Sequence, residues 1–336
     1  MQRHVAARLI GLLIVIGSLV SCSSQRETPS DIETPPSGQS GAPDKGTIGV
    51  SLMTLTNPFF KVIGENISSE ATQHGYDTVY LGADEDAAKQ TDQVKDFIVK
   101  KVAAIVLAPY DSQAIGPVIE EANAAGIPVF TVDNACLASG AKVTCHVATD
   151  NVMGGRQAAE AMVEAVGDTG GKIAVLDHKV TQSCIDRVSG FKEVLDQHNA
   201  QAENPLEIVA ELPSGGNRQT GHRSTQDILQ SHPDMVGVFC INDPSALGAY
   251  AALVEANKAD QVTIIGFDGQ PEGKKAIRDG KIYADPIQFP ARMGRKTVEV
   301  IMNHFDGTDV PPEILMPTEL YRQADATEDQ NIDGYD

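Results

Sequence analysis

The sequence predicts an α/β protein of two similar lobes, each a parallel sheet with helices on both faces. Three observations predict it. Between residues 47 and 305, short apolar runs alternate with stretches of helical periodicity, the pattern of strands joined by crossover helices. One strand–helix–strand unit, AIVLAPYDSQAIGPVIEEANAAGIPVFTVD at 104–133, recurs as VGVFCINDPSALGAYAALVEANKADQVTIIGFD at 236–268. Each copy ends a buried strand on a carboxylate, Asp133 in the first and Asp268 in the second. Ligands of open parallel sheets bind at that end of the strands.

Taken in order, TIGVSL (Thr47–Leu52) reads as the first strand. The loop TLTNPFF leads into a helix over 60–74. A strand follows at 77–81 and a helix at 87–100. In the repeated unit, 104–107 is a strand, and Asp111 or Ser112 can cap the helix after it. Ile115, Val118, Ile119 and Ala122 give that helix one apolar stripe, and Gly126 can end it. The run 127–132 is the next strand. Another strand spans 143–148, and Asp150 or Asn151 caps a helix running to Val166. The second lobe repeats the rhythm. Strands fall at 172–176 and 208–212, helices at 184–198 and 219–230, then the second copy of the unit. A short helix at 273–279, a strand at 282–287 and a long helix over 290–305 complete it.

Composition bounds the setting. Arg3 and Arg8 precede an apolar core at 9–20 that is short for a membrane span, the layout of an export signal over 1–21. Its end, Leu19-Val20-Ser21-Cys22, resembles the lipobox of bacterial lipoproteins, which implies cleavage before Cys22 and lipid on that residue. Residues 22–46 are rich in Ser, Pro, Gly and Thr and read as a disordered tether. Residues 323–336 read as a mobile acidic tail. The net charge of −20 over 336 residues argues against a nucleic-acid partner. Of the five cysteines, Cys136 and Cys145 flank a short loop, where a local disulfide or two free thiols both fit. Cys184 and Cys240 read as a free thiol and a strand residue. No Cys-x-x-Cys occurs and the histidines are scattered, so neither a metal site nor a cofactor is expected.

The candidate residues beside strand ends are Asn57, Phe59, Phe60, Asp133, Asn134, Arg187, Asn242, Asp268 and Gln288. Together they suit a neutral, hydroxyl-rich ligand. Carboxylates accept from vicinal hydroxyls, Arg donates a fork, and Asn and Gln do both. Aromatic faces cover the C–H side of a ring. Taken singly, each has a plainer role: Asp133 and Asp268 as turn formers, the phenylalanines as core, Arg187 in a surface ion pair, Asn242 as a helix cap. The matched placement of the two aspartates in a repeat favours the ligand. Ser214-Gly215-Gly216-Asn217 lacks the Lys-Ser/Thr ending of a phosphate loop and reads as a turn. Neither Cys184 with His178 nor Asp133 with Asp268 sits in a nucleophile motif, so an enzyme is not expected.

On these residues a resemblance becomes specific. Thr54-Leu55-Thr56-Asn57-Pro58-Phe59-Phe60, the stretch ATDNVMGG at 148–155, Asn242-Asp243 and Gly266-Phe267-Asp268-Gly269 are similar to motifs of the ribose-binding branch of the periplasmic sugar-binding proteins. The resemblance covers residue 47 to about residue 317. It implies two Rossmann-like lobes of the type I periplasmic binding protein fold, joined by a hinge of three crossovers. The lobes would be 47–149 plus 289–317, and 150–288 plus 318–322. The family's sugar contacts fall on Asn57, Phe59, Phe60, Asp133, Arg187, Asn242, Asp268 and Gln288. Three positions depart: Asn134 stands for an arginine, Gly216 for a stacking Phe and Ala108 for an Asn. These changes imply a roomier pocket, suited to a bulkier sugar, a sugar alcohol or a cyclitol. The implied role is that of a monomeric, exported, lipid-anchored protein of the periplasm or cell envelope. It would close on its ligand and pass it to an ABC importer permease. The alternative is presentation of the sugar to a chemoreceptor or sensor kinase.

Overall fold

The strands lie in two six-stranded sheets of the same design. The structure, a computed structural model, describes residues 45–335. The expected export signal, Cys22 and nearly all of the expected tether lie outside the described residues.

In the first sheet, β1 (Thr47–Leu52), β2 (Asp77–Gly82), β3 (Ala104–Leu107), β4 (Val129–Val132) and β5 (Cys145–Thr149) alternate with α1 (Pro58–Gln73), α2 (Ala87–Lys100) and α3 (Gly116–Ala124). In the second, α4 (Asn151–Val166) leads to β6 (Gly171–Asp177). There follow α5 (Gln182–Asn199), β7 (Leu206–Pro213), α6 (Arg218–Ser231) and β8 (Met235–Cys240). Next come α7 (Asp243–Glu255), β9 (Thr263–Ile265), α8 (Pro271–Arg278) and β10 (Ala284–Ile287). The spatial orders are β2-β1-β3-β4-β5 and β7-β6-β8-β9-β10. All of these pairings are parallel. In each sheet the order reverses beside the first strand, which opens a crevice at the strands' carboxyl ends. The repeated unit occupies corresponding places, β3-α3-β4 and β8-α7-β9.

The chain then returns. Helix α9 (Pro290–Phe305) packs with the first lobe, and β11 (Glu313–Met316) adds to β5 in parallel. Two residues later β12 (Glu319–Arg322) adds to β10 antiparallel, and α10 (Gln323–Glu328) follows. The backbone therefore passes between the sheets three times, after Thr149, after Ile287 and after Met316.

Burial explains the apolar runs. Along β1, Ile48, Val50 and Leu52 enter the core under α1 and α9. Ile105 and Leu107 of β3 face the opposite core, with Val94 and Phe97 of α2 and Ile119 of α3, while Ala104 and Val106 face the first. Successive side chains thus serve opposite faces, and a strand covered on both sides has no polar alternation to show.

Several expectations change. Helix α3 begins at Gly116 without a side-chain cap; Asp111 instead closes the preceding turn by accepting from the Gln113 and Ala114 amides. Strands β11 and β12 and helix α10 had no sequence signature, because short edge strands half-exposed to water need no apolar run. Residues 323–335 are not a free tail: Asp329 accepts from the Tyr321 hydroxyl at 2.7 Å and pairs with Lys274 at 3.3 Å. Cys136 and Cys145 are free thiols, like Cys184 and Cys240. Cys145 sits buried at the start of β5.

Candidate functional site

The loops at the carboxyl ends of both sheets enclose one cavity of about 60 Å³, several times the ~10–15 Å³ that one water requires. All nine candidate residues line it. Ala108 does not; its carbonyl instead receives Gln90 Nε2 at 2.9 Å.

From the first sheet, Asn57 caps α1 by accepting from the Phe59 amide at 3.0 Å, and Pro58 sets the first helical turn. This start turns Phe59 and Phe60 edge to face, 5.3 Å apart, with both rings against the cavity. Asp133 follows β4 with φ +63° and is buried. Its Oδ1 has no hydrogen-bond partner. Burial pushes its carboxyl up to about 7, opposed by the nearby Arg187 charge and reinforced by Asp268.

From the second sheet, Asp268 follows β9 with φ +106°. Both repeated aspartates thus occupy backbone conformations that side chains normally avoid, a form of strain concentrated at ligand sites. Arg187 on α5 donates to Asp268 Oδ1 at 3.0 Å, to the Ile241 carbonyl at 2.6 Å and through Nε to Asn151 at 2.9 Å. Its guanidinium lies 3.9 Å over the Phe267 ring. Gln270 and Gln288 donate to the two Asp268 oxygens at 3.0 and 2.6 Å, and Thr149 donates to Gln288 Oε1 at 2.7 Å. Burial still pushes the Asp268 carboxyl up, against the pull of Arg187 and the two amides. The network therefore links the acid to two points where the chain changes sheets.

Asn242 caps α7 by accepting from the Ser245 amide, and its Nδ2 donates to the Gly216 carbonyl at 2.9 Å. The Gly215-Gly216 turn is bare backbone at the cavity edge, both residues having positive φ. Asn134 behaves differently from expectation. Its Nδ2 donates to the Pro109 carbonyl at 3.1 Å and its Oδ1 accepts from Ser183 on the other lobe at 2.5 Å. Beside it, the Gln182 amide donates to Ser112 Oγ and the Ser112 amide to the Val180 carbonyl. Asn134 thus bridges the two lobes while lining the cavity.

Sequence reasoning missed further lining residues, among them Glu85, His178, Thr181 and Ser183. Nε2 of His178 is buried without a partner. Its ring tilts toward Tyr110 of the first lobe, centroids 6.3 Å apart. Lone polar residues, in loops or, for Ser183, in the first turn of α5, carry no spacing to betray them; only their position after strand ends could have. Among the described residues no group of His, Cys, Asp and Glu could hold a metal, and no helix is long and apolar enough to cross a membrane.

The arrangement matches known proteins. The family described as periplasmic binding protein domain matches residues 48–309. The ribose import binding protein of Salmonella typhimurium is 36% identical over 256 residues, 76% of this chain and 83% of that protein. The protein of the same description from Bacillus subtilis is 36% identical over 285 residues, 84% of this chain and 90% of that one. A solved ABC transporter solute-binding protein from Bacillus halodurans, with bound myo-inositol, superposes with a TM-score of 0.77 at 26% identity. It covers 86% of this chain and 98% of its own. With its two six-stranded sheets, three crossings and a cavity between the loops of both sheets, the chain belongs to the periplasmic binding protein family.

Proposed function

We propose that the cleft binds one neutral monosaccharide or polyol, closes on it by bending at the three crossings, and delivers it to the permease of an ABC importer. One observation carries this reading: Asp133 presents a buried carboxylate oxygen with no partner to a cavity whose far wall holds Asp268 and Arg187. A buried oxygen left unmatched calls for a donor, and a sugar hydroxyl is a donor without charge. Phe59 and Phe60 supply apolar faces for the C–H side of a ring. Asn57, Asn242 and Gln288 also line the cavity. The relatives named for ribose import and the neighbour holding myo-inositol support a guest of this class.

In this reading the lobes are residues 47–149 plus 289–317 and residues 150–288 plus 318–322. A guest shifts the population toward closure because the closed state adds contacts from the second lobe. The Gly215-Gly216 turn leaves one side of the cavity free of side chains, which favours a cyclitol or sugar alcohol over a plain pentose. The protein would work as an exported monomer in the periplasm or cell envelope, held to the membrane through lipid on Cys22.

A thermal-shift screen over D-ribose, hexoses, alditols and inositols tests the reading. At a hundredfold excess over Kd a true ligand stabilises the fold by about 2.7 kcal/mol, a shift of several degrees. No shift with any member of the four classes sinks the proposal.

A further inference from the structure

The C-terminal segment lies beyond the part of the chain that the family matches, which ends at residue 309, yet it packs against residues of both lobes, Lys274 and Phe59. It starts in the second lobe, where α10 packs on α8. Lys274 of α8 is 4% exposed. Its ammonium holds the segment at two points, Asp329 at 3.3 Å and the Gly334 carbonyl at 3.2 Å, and lies 5.4 Å over the Tyr321 ring. Lys275 pairs with Asp333 at the surface. Burying an ammonium is costly without such partners, so the anchor is specific rather than incidental.

From that anchor the chain leaves the second lobe. The Tyr335 ring meets Phe59 of α1 edge to face, centroids 6.5 Å apart, and joins the core cluster of the first lobe. Its hydroxyl is buried. Burial pushes that phenol up, and the charges of Asp268, Asp243 and Glu272 add to it. One side of the ring therefore belongs to the first lobe while its hydroxyl faces acids of the second.

We propose that residues 329–335 form a strap, tied to the second lobe by Lys274, that carries Tyr335 across the cleft to fix Phe59 in the ligand-facing wall. Tyr335 is a positioning residue: it lines no part of the cavity and acts through Phe59, which does. The strap also ties the lobes together on one flank of the cleft, as the Asn134–Ser183 contact does elsewhere. The inference rests on the cleft of the proposed function being the working site, and is indifferent to which guest fills it.

Hydrogen exchange on the ligand-free full chain tests it without any sugar. Tyr335→Ala should speed exchange of the amides at 59–64 roughly two- to tenfold, the worth of one aromatic pair. Tyr335→Phe, which keeps the ring, should leave them protected. Lys274→Met should speed the same first-lobe amides, although Lys274 touches only the second lobe. Exchange that rises only at 271–278 in Lys274→Met, or stays unchanged at 59–64 in Tyr335→Ala, overturns the strap. Because these measurements omit ligand, a failed sugar screen with a positive exchange result condemns the guest class and spares the strap.

Discussion

Asp133 shows how one carboxylate can be bad for folding and good for binding. Its buried Oδ1 has no partner, and its carboxyl is held at about 7. A hydroxyl-rich guest needs the ionised acceptor, so affinity should fall below pH 7, by at most about tenfold per unit. Asp133→Asn should weaken binding by one to two decades, since a hydrogen bond to a charged group is worth roughly 1.5–3 kcal/mol. It should also flatten the pH profile. Calorimetric titration from pH 5.5 to 8 with a ligand from the screen reads both effects; wild-type affinity in the variant would show that Asp133 does not touch the guest. Ser183 makes the opposite case. Its hydroxyl reaches Asn134 on the other lobe, so Ser183→Ala should open the ligand-free molecule and cost less than about tenfold in affinity. An unchanged radius of gyration by small-angle scattering would refute that role. Both aspartates were legible in the sequence because a repeat pairs them. His178 and Ser183 were not, because a lone polar residue, whether in a loop or, like Ser183, in the first turn of α5, has no counterpart to be compared with.

At the scale of elements, α2 spans Ala87–Lys100, as the sequence predicts, and the structure adds its cap: Asp86 accepts from the Ala88 and Lys89 amides. What an apolar stripe cannot express is how closely two helices meet. Helices α4 and α5 touch backbone to backbone. A Cβ on Gly155 would lie 2.0 Å from the Arg187 carbonyl oxygen, and one on Gly190 2.1 Å from the Val152 carbonyl oxygen. This contact sets the height of α5, and with it the Arg187 guanidinium beside Asp268. Gly155→Ala should therefore destabilise the fold by about 1–3 kcal/mol and weaken binding as well, because α5 must lift. Chemical denaturation and ligand titration of the same variant separate the two effects; unchanged affinity would mean Arg187 holds its place without that contact. In sequence Gly155 stood only within the motif ATDNVMGG and Gly190 carried no signal, since their reason lies on a partner helix more than thirty residues away.

For the whole molecule, the buried acids act together. Burial pushes Asp133 up to about 7 and Asp285 to about 6, and raises Asp268 and Asp243 also, Asp243 further through the Asp285 charge. A folded value above the unfolded one means that the native state holds the proton more tightly. The stability these groups contribute is full below about pH 4 and is lost as pH climbs through 6 to 7. Lowering the pH from 8 to 5 should strengthen the fold through these acids, opposed by His146, which burial holds down at about 4 and which costs stability as the unfolded imidazole takes up its proton. Over this window the melting temperature of Asp133→Asn should gain less, or lose more, than that of the wild type; an equal change in both contradicts the assignment. At still lower pH the trend reverses as Glu211, held at about 2 with Lys179 and Lys192 pulling against its burial, loses its charge.

The sequence by itself determined the paired strand–helix–strand units, the two sheets they build and the acids that end them. Those features recur at fixed spacing within one stretch of chain, and burial on both faces leaves an apolar run whatever the surroundings. Only the tertiary structure decided that Asn134 serves closure, that Cys136 and Cys145 stay apart, and that the acidic end returns to prop Phe59. Each depends on which residues from distant segments arrive at the same place. Such encounters leave no period along the chain, because a single contact between two loops constrains where they meet and not what lies between them.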